Sequence, residues 1–385
     1  MKNKFFLSLL TAAALMLATQ PAAQAAFHLQ TPYQNVNGKL LVSASVNGVK
    51  GRFILDTGAP CCLTWSFASR ASVKMEGQTL TAEDSNGLTT QNAVVVLDSL
   101  NLGGVSFRGL QAMCLAQGNM VEAFGLDGII GYNLFKMGAV KFDGKNSLFL
   151  FDADPSALSL PTTCAQPLIE DPYIVRVPVS LGEGRSDTVM FDSGAESFYE
   201  MSNARYLTLK NTLGEIRQLG SARGILSAGA AGLEKGSTKY RLKIPHFALG
   251  TARFDNVTTI TTDGTDSRIG SSLLTLGDVA IDYRHNLFYF IPNDTTRVPN
   301  LYQPEWDVVI TVMEGHLCAG LVWDTAGLPL KGGETIVSVN GQSFKDVDLR
   351  QATTTPMINM SGDTATIGYL DAATGQEKQV TIHRR

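Results

Sequence analysis

The sequence predicts an all-β protein in which two duplicated β lobes pack about a pseudo-two-fold axis and a small β-rich domain follows. Apolar residues alternate with period two in segments such as "KLLVSASVNGVKGRFIL" and "KYRLKIPHFALG", and Gly, Asn and Asp turns separate these segments. Two short stretches, "FILDTGAP" (53–60) and "VMFDSGAE" (189–196), share one pattern: an apolar run, then Asp, Thr or Ser, Gly and Ala. Long helical periodicity is nearly absent, because "ARYLTL" and "SSLLTL" predict only short helices.

The duplication extends beyond these two motifs. "LDGIIGYNLFKMGAVKFDGKNSLFLF" in the first half aligns without a gap with "TDSRIGSSLLTLGDVAIDYRHNLFYF" in the second, so that Asp127 matches Asp266. This block begins 71 residues after the first Asp (56 to 127) and 74 residues after the second (192 to 266). Agreement in order, spacing and residue type over about 100 residues indicates a repeated β lobe.

Residues 1–25 are predicted to be a signal peptide. Lys2 and Lys4 precede an apolar run over 5–18, and Ala23-Gln24-Ala25 suits cleavage by signal peptidase. The alternative is a buried N-terminal helix. The run is too short to span a bilayer comfortably, so we expect an exported protein, periplasmic or secreted, without stable membrane insertion.

Proline-rich connectors suggest three units in the mature chain. The stretches "DADPSALSLPTTCAQP" and "PNDTTRVPNLYQP" favour extended spacers. They divide the chain into a first lobe over 26–160, a second lobe over 161–297 and a third module over 298–385.

Composition and cysteine usage exclude some classes of function. A net charge of −4 with interspersed acids and bases gives no reason to expect nucleic-acid binding. The five cysteines and five histidines show no metal-ligand spacing, so no metal is expected. An odd number of cysteines leaves at least one thiol unpaired within the chain; a link from Cys61 or Cys62 to Cys114 is conceivable, and the pairing is not assigned.

The repeated aspartate suggests paired carboxylates. Equivalent positions near a pseudo-two-fold axis meet, and two carboxylates about 3 Å apart share one proton. The ionised member can deprotonate a water while the protonated member hydrogen-bonds a carbonyl group, which is general acid–base hydrolysis of an amide.

Two Asp-Thr/Ser-Gly-Ala motifs, each followed by an apolar–Gly element, resemble the aspartic protease superfamily that includes pepsins and retropepsins. "DGIIGYNLF" and "RIGSSLLTLGDVAIDY" are most similar to its bacterial retropepsin-like branch, here as a single-chain tandem over roughly 40–290. The resemblance implies an endopeptidase without metal or cofactor, monomeric, with a peptide or protein substrate in the inter-lobe cleft. It implies the following roles: catalytic, Asp56 and Asp192; frame of the dyad, Thr57, Gly58, Ser193 and Gly194; supporting loops, Ile130, Gly131, Ile269 and Gly270.

The chain departs from the family pattern at several points. Arg268 stands opposite Ile129, where the pattern prefers an apolar residue, so an altered second supporting loop is expected. The expected flap hairpin around 82–90 carries no Tyr of the pepsin kind. The matching region of lobe two, 221–232, is rich in Gly and Ala and fits a second flap or a mobile loop.

Two other functions compete with the protease. A degenerate protease would keep the fold and bind peptides without cutting them. A cysteine hydrolase would use Cys61 or Cys62 as its nucleophile, but the sequence places no His beside either one.

The last module resembles a PDZ domain of the bacterial protease type. "AGL" (326–328), "GGE" (332–334), Ile336 and "VNG" (339–341) fit that pattern, with Glu334 in place of the usual Asp. PDZ domains take a peptide C-terminus as an added strand. Because the Gly-loop signature is not clear, a peptide receptor and a domain that binds no ligand both remain open, as does assembly through this module.

Overall fold

A computed structural model describes residues 6–7, 26–169, 174–347 and 358–385. The predicted signal peptide therefore lies outside the described residues except for 6–7. Strands dominate the described chain, and the prediction of an all-β fold is confirmed. Among the described residues, no helix is long and apolar enough to cross a membrane.

The elements of the first half are short strands with three brief helices. The strands are β1 Phe6–Leu7, β2 His28–Pro32, β3 Gln34–Val36, β4 Lys39–Val46, β5 Val49–Asp56, β6 Cys62–Leu63, β7 Met75–Glu83, β8 Thr89–Leu97, β9 Leu100–Leu102, β10 Val105–Phe107, β11 Leu110–Cys114, β12 Gly128–Gly131, β13 Ala139–Asp143 and β14 Leu148–Asp152. The helices are α1 Trp65–Arg70, α2 Met120–Ala123 and α3 Tyr132–Phe135.

The second half and the last module continue in the same style. Their strands are β15 Ala165–Pro167, β16 Arg176–Gly182, β17 Arg185–Asp192, β18 Arg217–Gly224, β19 Ser227–Gly229, β20 Gly232–Leu233, β21 Ser237–Leu249, β22 Ala252–Ile260, β23 Ser267–Gly270, β24 Gly277–Asp282, β25 Leu287–Pro292, β26 Val308–Met313, β27 His316–Val322, β28 Ile336–Val339, β29 Gln342–Ser343, β30 Thr364–Leu370 and β31 Glu377–His383. Their helical elements are α4 Asn203–Leu209 and 3₁₀ turns at Pro155–Leu158, Thr162–Cys164, Ser271–Thr275 and Asp324–Ala326.

The two repeated motifs occupy matching places in two sheets. In the first, β5 pairs in parallel with β12, so that Asp56 lies opposite Gly131. In the second, β17 pairs in parallel with β23, so that Asp192 lies opposite Gly270. The last four residues of both β5 and β17 are buried, as expected for the apolar runs "FIL" and "VMF". Each Asp therefore stands at the buried end of a strand.

A shared sheet joins the two halves. Strand β13 of the first half pairs antiparallel with β24 of the second, within the order β15-β25-β24-β13-β14-β2. One hydrophobic core runs through both halves. Phe191 packs against Phe142 at a ring-centroid distance of 6.1 Å and against Phe288 at 5.7 Å. The aspartate-bearing strands are thus held by one continuous core.

The last module has its own core and also contacts the second half. Its core includes Trp306, Ile336 and Tyr369. A separate apolar cluster, with Leu226 and Trp323 among its members, joins it to the β18 region. The PDZ-like interpretation stays a prediction, and residues 348–357 lie outside the described part of the chain.

The cysteines do not form the disulfide that the sequence left open. All five are free thiols. Strand β6 runs beside β11 with Cys62 opposite Met113, so Cys62 packs in a smaller core cluster while Cys114 packs in the main core. Cys61 shares the main core with Cys114 without a bond between them.

Candidate active site

The loops that follow β5 and β17 are joined by hydrogen bonds of the Thr57 and Ser193 hydroxyl groups. Thr57 Oγ1 donates to the carbonyl of Phe191 at 2.6 Å, and Ser193 Oγ donates to the carbonyl of Leu55 at 2.9 Å. In return, the backbone N–H of each hydroxyl residue donates to the other's Oγ, at 3.0 Å in both directions. All donors are buried, so these four bonds fix the two loops relative to each other.

The glycines bring each carboxylate against the loop of the other half. Gly58 N–H donates to Asp56 Oδ1 at 2.8 Å, and Gly194 N–H donates to Asp192 Oδ1 at 2.9 Å. A Cβ at Gly194 would lie 2.3 Å from Asp56 Oδ2, and a Cβ at Gly58 would lie 3.1 Å from Asp192 Cγ. A side chain at Gly194 would therefore displace the Asp56 carboxylate, which explains the small residue there.

The two carboxylates form a buried pair. Both residues are 0% exposed, and within the described chain neither Oδ2 atom makes a hydrogen bond. Burial raises the pKa of Asp56 well above its ordinary value, and the nearby charge of Asp192 raises it further, against the opposing effects of Gly58 N–H and Lys39. Asp56 therefore favours its protonated form.

The predicted supporting residues lie on the strands next to the two aspartate-bearing strands. Ile130 lies opposite Leu55 in the register of β12 with β5, and Ile269 lies opposite Phe191 in that of β23 with β17. Their neighbours Gly131 and Gly270 pass close to the aspartate loops. A Cβ on Gly131 would lie 1.9 Å from the Ala59 carbonyl oxygen, and one on Gly270 would lie 2.6 Å from that of Ser197.

Two buried cations beside the dyad did not follow from the sequence. Arg268, known from the sequence only as a departure from the pattern, is 1% exposed, and its Nη1 lies 3.6 Å from Asp192 Oδ2. Its Nε lies 3.3 Å from Glu200 Oε2. Lys39 is also buried and donates to the carbonyl of Gly194. Burial lowers the pKa of Lys39, and the charges of Glu196 and the dyad oppose this effect.

The tip of the β7–β8 hairpin packs against the second half of the chain. Asp84, Ser85 and Asn86 are buried although most of β7 is exposed. Asp84 Oδ1 accepts from the N–H groups of Asn86 and Leu88 at 2.9 Å, which shapes the turn. Ala231 N–H donates to Asp84 Oδ2 at 3.1 Å, so the tip touches the segment predicted as a second flap.

The thiols near the dyad are poor nucleophiles. Burial raises the pKa of Cys61 to about 12 and the pKa of Cys62 well above its ordinary value. This disfavours the cysteine hydrolase. No group of three or more potential metal ligands occurs among the described residues. A cavity of about 290 Å³ lies between residues 196–200 and the connector at 301–305, and neither Asp56 nor Asp192 lines it.

Fold and site together give two β halves whose matching loops present one buried carboxylate each. Comparison with known proteins gives one similarity, over part of the chain. Residues 42–134 match the model of a family described as aspartyl protease. The matched segment contains Asp56, its loop and β12, and it ends before the second copy of the motif. No curated protein matches the chain.

Proposed function

We propose that the chain is an aspartic endopeptidase with Asp56 and Asp192 as its catalytic dyad. The observation that carries this proposal is the set of reciprocal hydrogen bonds between Thr57 and Ser193. These bonds hold each buried carboxylate against the loop of the other half. A chain that only bound peptides would have no need for a buried carboxylate pair, which is costly to fold. The family match supports protease activity, and nothing in it favours the non-cleaving alternative.

The site has the parts that acid–base hydrolysis of a peptide bond requires. Asp192, in its ionised form, would take a proton from a water that attacks the carbonyl carbon of the substrate. Asp56, which holds a proton because of its burial, would donate a hydrogen bond to the carbonyl oxygen. Asp192 would then pass the proton it took from the water to the amide nitrogen, the C–N bond would break, and the amine and carboxylic acid products would leave without a covalent enzyme intermediate. The hydroxyl frame would contribute by fixing the geometry before the substrate arrives.

Both aspartates are fully buried, so access of a substrate to the dyad needs a movement of the structure around them. We propose that a peptide or protein substrate enters the inter-lobe cleft when the β7–β8 tip lifts away from residues 226–231. The proposal also takes over three expectations from the sequence: export by the segment 1–25, a monomeric enzyme, and a peptide C-terminus as ligand of the 298–385 module.

The experiment is cleavage of a diverse peptide mixture by residues 26–385, read by mass spectrometry from pH 3 to 8. Asp56→Asn and Asp192→Asn should each abolish the cuts while the circular dichroism spectrum stays that of the native protein. The control is Asp98→Asn, which removes an exposed carboxylate and should cut like the native chain. Full activity in either dyad variant would refute the assignment. Folded protein that binds peptides and leaves them intact at every pH would support the pseudoprotease instead.

A further inference from the structure

Arg268 contacts three parts of the site with one side chain. Besides the Asp192 and Glu200 carboxylates, its Nη2 donates to the carbonyl of Ser85 at 3.2 Å. Ser85 belongs to the tip of the β7–β8 flap, which comes from the other half of the molecule. The guanidinium therefore links the Asp192 carboxylate to the tip of this flap.

The charge of Arg268 acts on one aspartate more than on the other. A guanidinium stays protonated at any pH of interest, and an adjacent cation favours the ionised form of a carboxylate. In the first half the equivalent position is Ile129, which packs in an apolar cluster with Ile54. Asp56 thus has no matching guanidinium from its own supporting strand, and the two carboxylates differ in their surroundings.

Other charged groups face this site and share its electrostatics. The dyad is faced by Lys39, whose charge acts on both aspartates, and by Arg268. Arg268 in turn is faced by Glu200 and by Asp84 of the flap tip. Glu196 faces Lys39. Because Lys39 acts on both aspartates while Arg268 reaches Asp192, Arg268 is the group that distinguishes the two.

We propose that Arg268 is a positioning residue that keeps Asp192 as the ionised member of the dyad, leaves the proton on Asp56, and holds the flap tip over both. This inference rests on the proposed function of the dyad. It gives the two chemically identical side chains fixed roles: Asp192 activates the water, and Asp56 polarises the carbonyl group. It also makes flap closure depend on the same side chain.

Three variants separate the two roles of Arg268. Arg268→Gln removes the charge, Arg268→Lys keeps a charge but loses the forked donors, and Gly264→Ala leaves Arg268 intact. A Cβ at Gly264 would lie 2.4 Å from Arg268 Nη2 and 2.6 Å from the Ser85 carbonyl oxygen, so it should push the two apart. Gly264 has no positive φ, so alanine is compatible with its backbone.

The first measurement is the dependence of kcat/KM on pH, together with a ¹³C NMR titration of the aspartate carboxyl carbons. In Arg268→Gln the acidic limb should move up by about 1 to 3 pH units, because the ionised dyad loses its cation. Arg268→Lys should return most of that shift, and Gly264→Ala should leave the limb in place. An unmoved limb in folded Arg268→Gln would overturn the assignment of roles.

The NMR titration needs no turnover, so it tests Arg268 even if the protein cleaves nothing. Asp56→Asn and Asp192→Asn assign the two signals, and Asp192 should ionise first. If Asp56 ionises first, the inference fails whether or not the protein is a protease. Where Arg268→Gln does not fold, Arg268→Gln/Glu200→Gln removes the anion that the substitution leaves buried, and the same shift is expected.

The second measurement is amide hydrogen exchange at residues 84–88. Arg268→Lys and Gly264→Ala should both accelerate exchange at the flap tip several-fold, and exchange in β13 and β24 should be unchanged. Unchanged exchange at the tip in both variants would overturn the role of Arg268 in holding the flap.

Discussion

The loops at Asp56 and Asp192 are alike in backbone and different in charge. Both follow a buried strand, both pair their Asp with a glycine of a parallel strand, and both donate one hydroxyl to the other. The strand beneath Asp56 carries Ile129, whereas the strand beneath Asp192 carries Arg268. Geometry is therefore symmetric and electrostatics is not. The hydrogen bonds of Thr57 and Ser193 align the two carboxylates. In our proposal, the charge of Arg268 determines which carboxylate is ionised.

The largest effect on stability is expected when an arginine equivalent to Arg268 is introduced into the first lobe. Ile129→Arg would place a cation in an apolar cluster that holds Ile54 and Cys62, without a Glu200 beside it. We expect a loss of about 3–5 kcal/mol in the free energy of unfolding, as for a buried charge left without a partner. Urea denaturation measures this, with Ile129→Leu as the control at a cost of about 1 kcal/mol. A tolerated Arg would show that the lobes are interchangeable here.

Removing the hydroxyl group of Thr57 or that of Ser193 should destabilise the protein by the same amount. Thr57→Val and Ser193→Ala each remove one hydroxyl, leaving a buried N–H and a buried carbonyl without their partner. Each should lower the free energy of unfolding by about 1–3 kcal/mol and lower kcat as well. The control is Thr188→Val, which removes a hydroxyl at an exposed position of β17 and should change neither quantity. Unequal losses of unfolding free energy in the two variants would show that the two hydroxyl groups are not equivalent.

Substituting the two aspartates should change the stability of the protein in opposite directions. The raised pKa of Asp56 stabilises the fold below about pH 4, and this contribution is lost as pH rises toward the raised value. At pH 7 Asp56→Asn should therefore raise Tm, by about 2–4 °C for 1 kcal/mol, and the gain should disappear near pH 3.

Asp192→Asn should instead lower Tm at pH 7, because Arg268 loses one of its two carboxylate partners. Calorimetry of the three proteins at pH 3 and pH 7 measures both changes. Changes of the same sign in the two variants would contradict the asymmetry.

The smallest effect is expected where the flap tip meets the second lobe. Ser227 Oγ donates to Asn86 Oδ1 at 2.9 Å. Asn86→Ala removes this bond and should accelerate amide exchange at the tip about 2- to 5-fold, for a loss of about 0.5–1 kcal/mol. Asn101→Ala, at an exposed position of β9, is the matched control. An unchanged rate at the tip would show that this contact does not hold the flap.

The sequence was informative where the duplication repeats a pattern. Because the two Asp motifs and the downstream blocks could be aligned, the sequence predicted that two matching Asp loops meet beside two matching strands; the catalytic roles stay predictions. The flap around 82–90 was also expected, and its turn begins at Asp84. Each of these features depends on neighbours along the chain or on a comparison between the two copies.

Features without a second copy were missed or understated. Lys39 follows an Asn-Gly turn and reads as a surface lysine, because lysines are rarely buried. Its burial depends on Gly194 and Glu196, more than 150 residues away. Arg268 was visible only as a mismatch with Ile129, and its partners on Glu200 and Ser85 come from separate loops. The pairing of β13 with β24 likewise leaves no local signal, since it joins strands of different halves.

The shared sheet of β13 and β24 has a consequence for how such a site can change. Since both carboxylates come from one folded chain, dilution cannot separate them. In a dimer of identical subunits, any substitution appears twice, and an arginine beneath one aspartate would bring a second beneath the other. A chain with two different halves escapes that constraint. One half can acquire a cation while the other keeps an apolar residue, and two identical acids become a distinct acid and base.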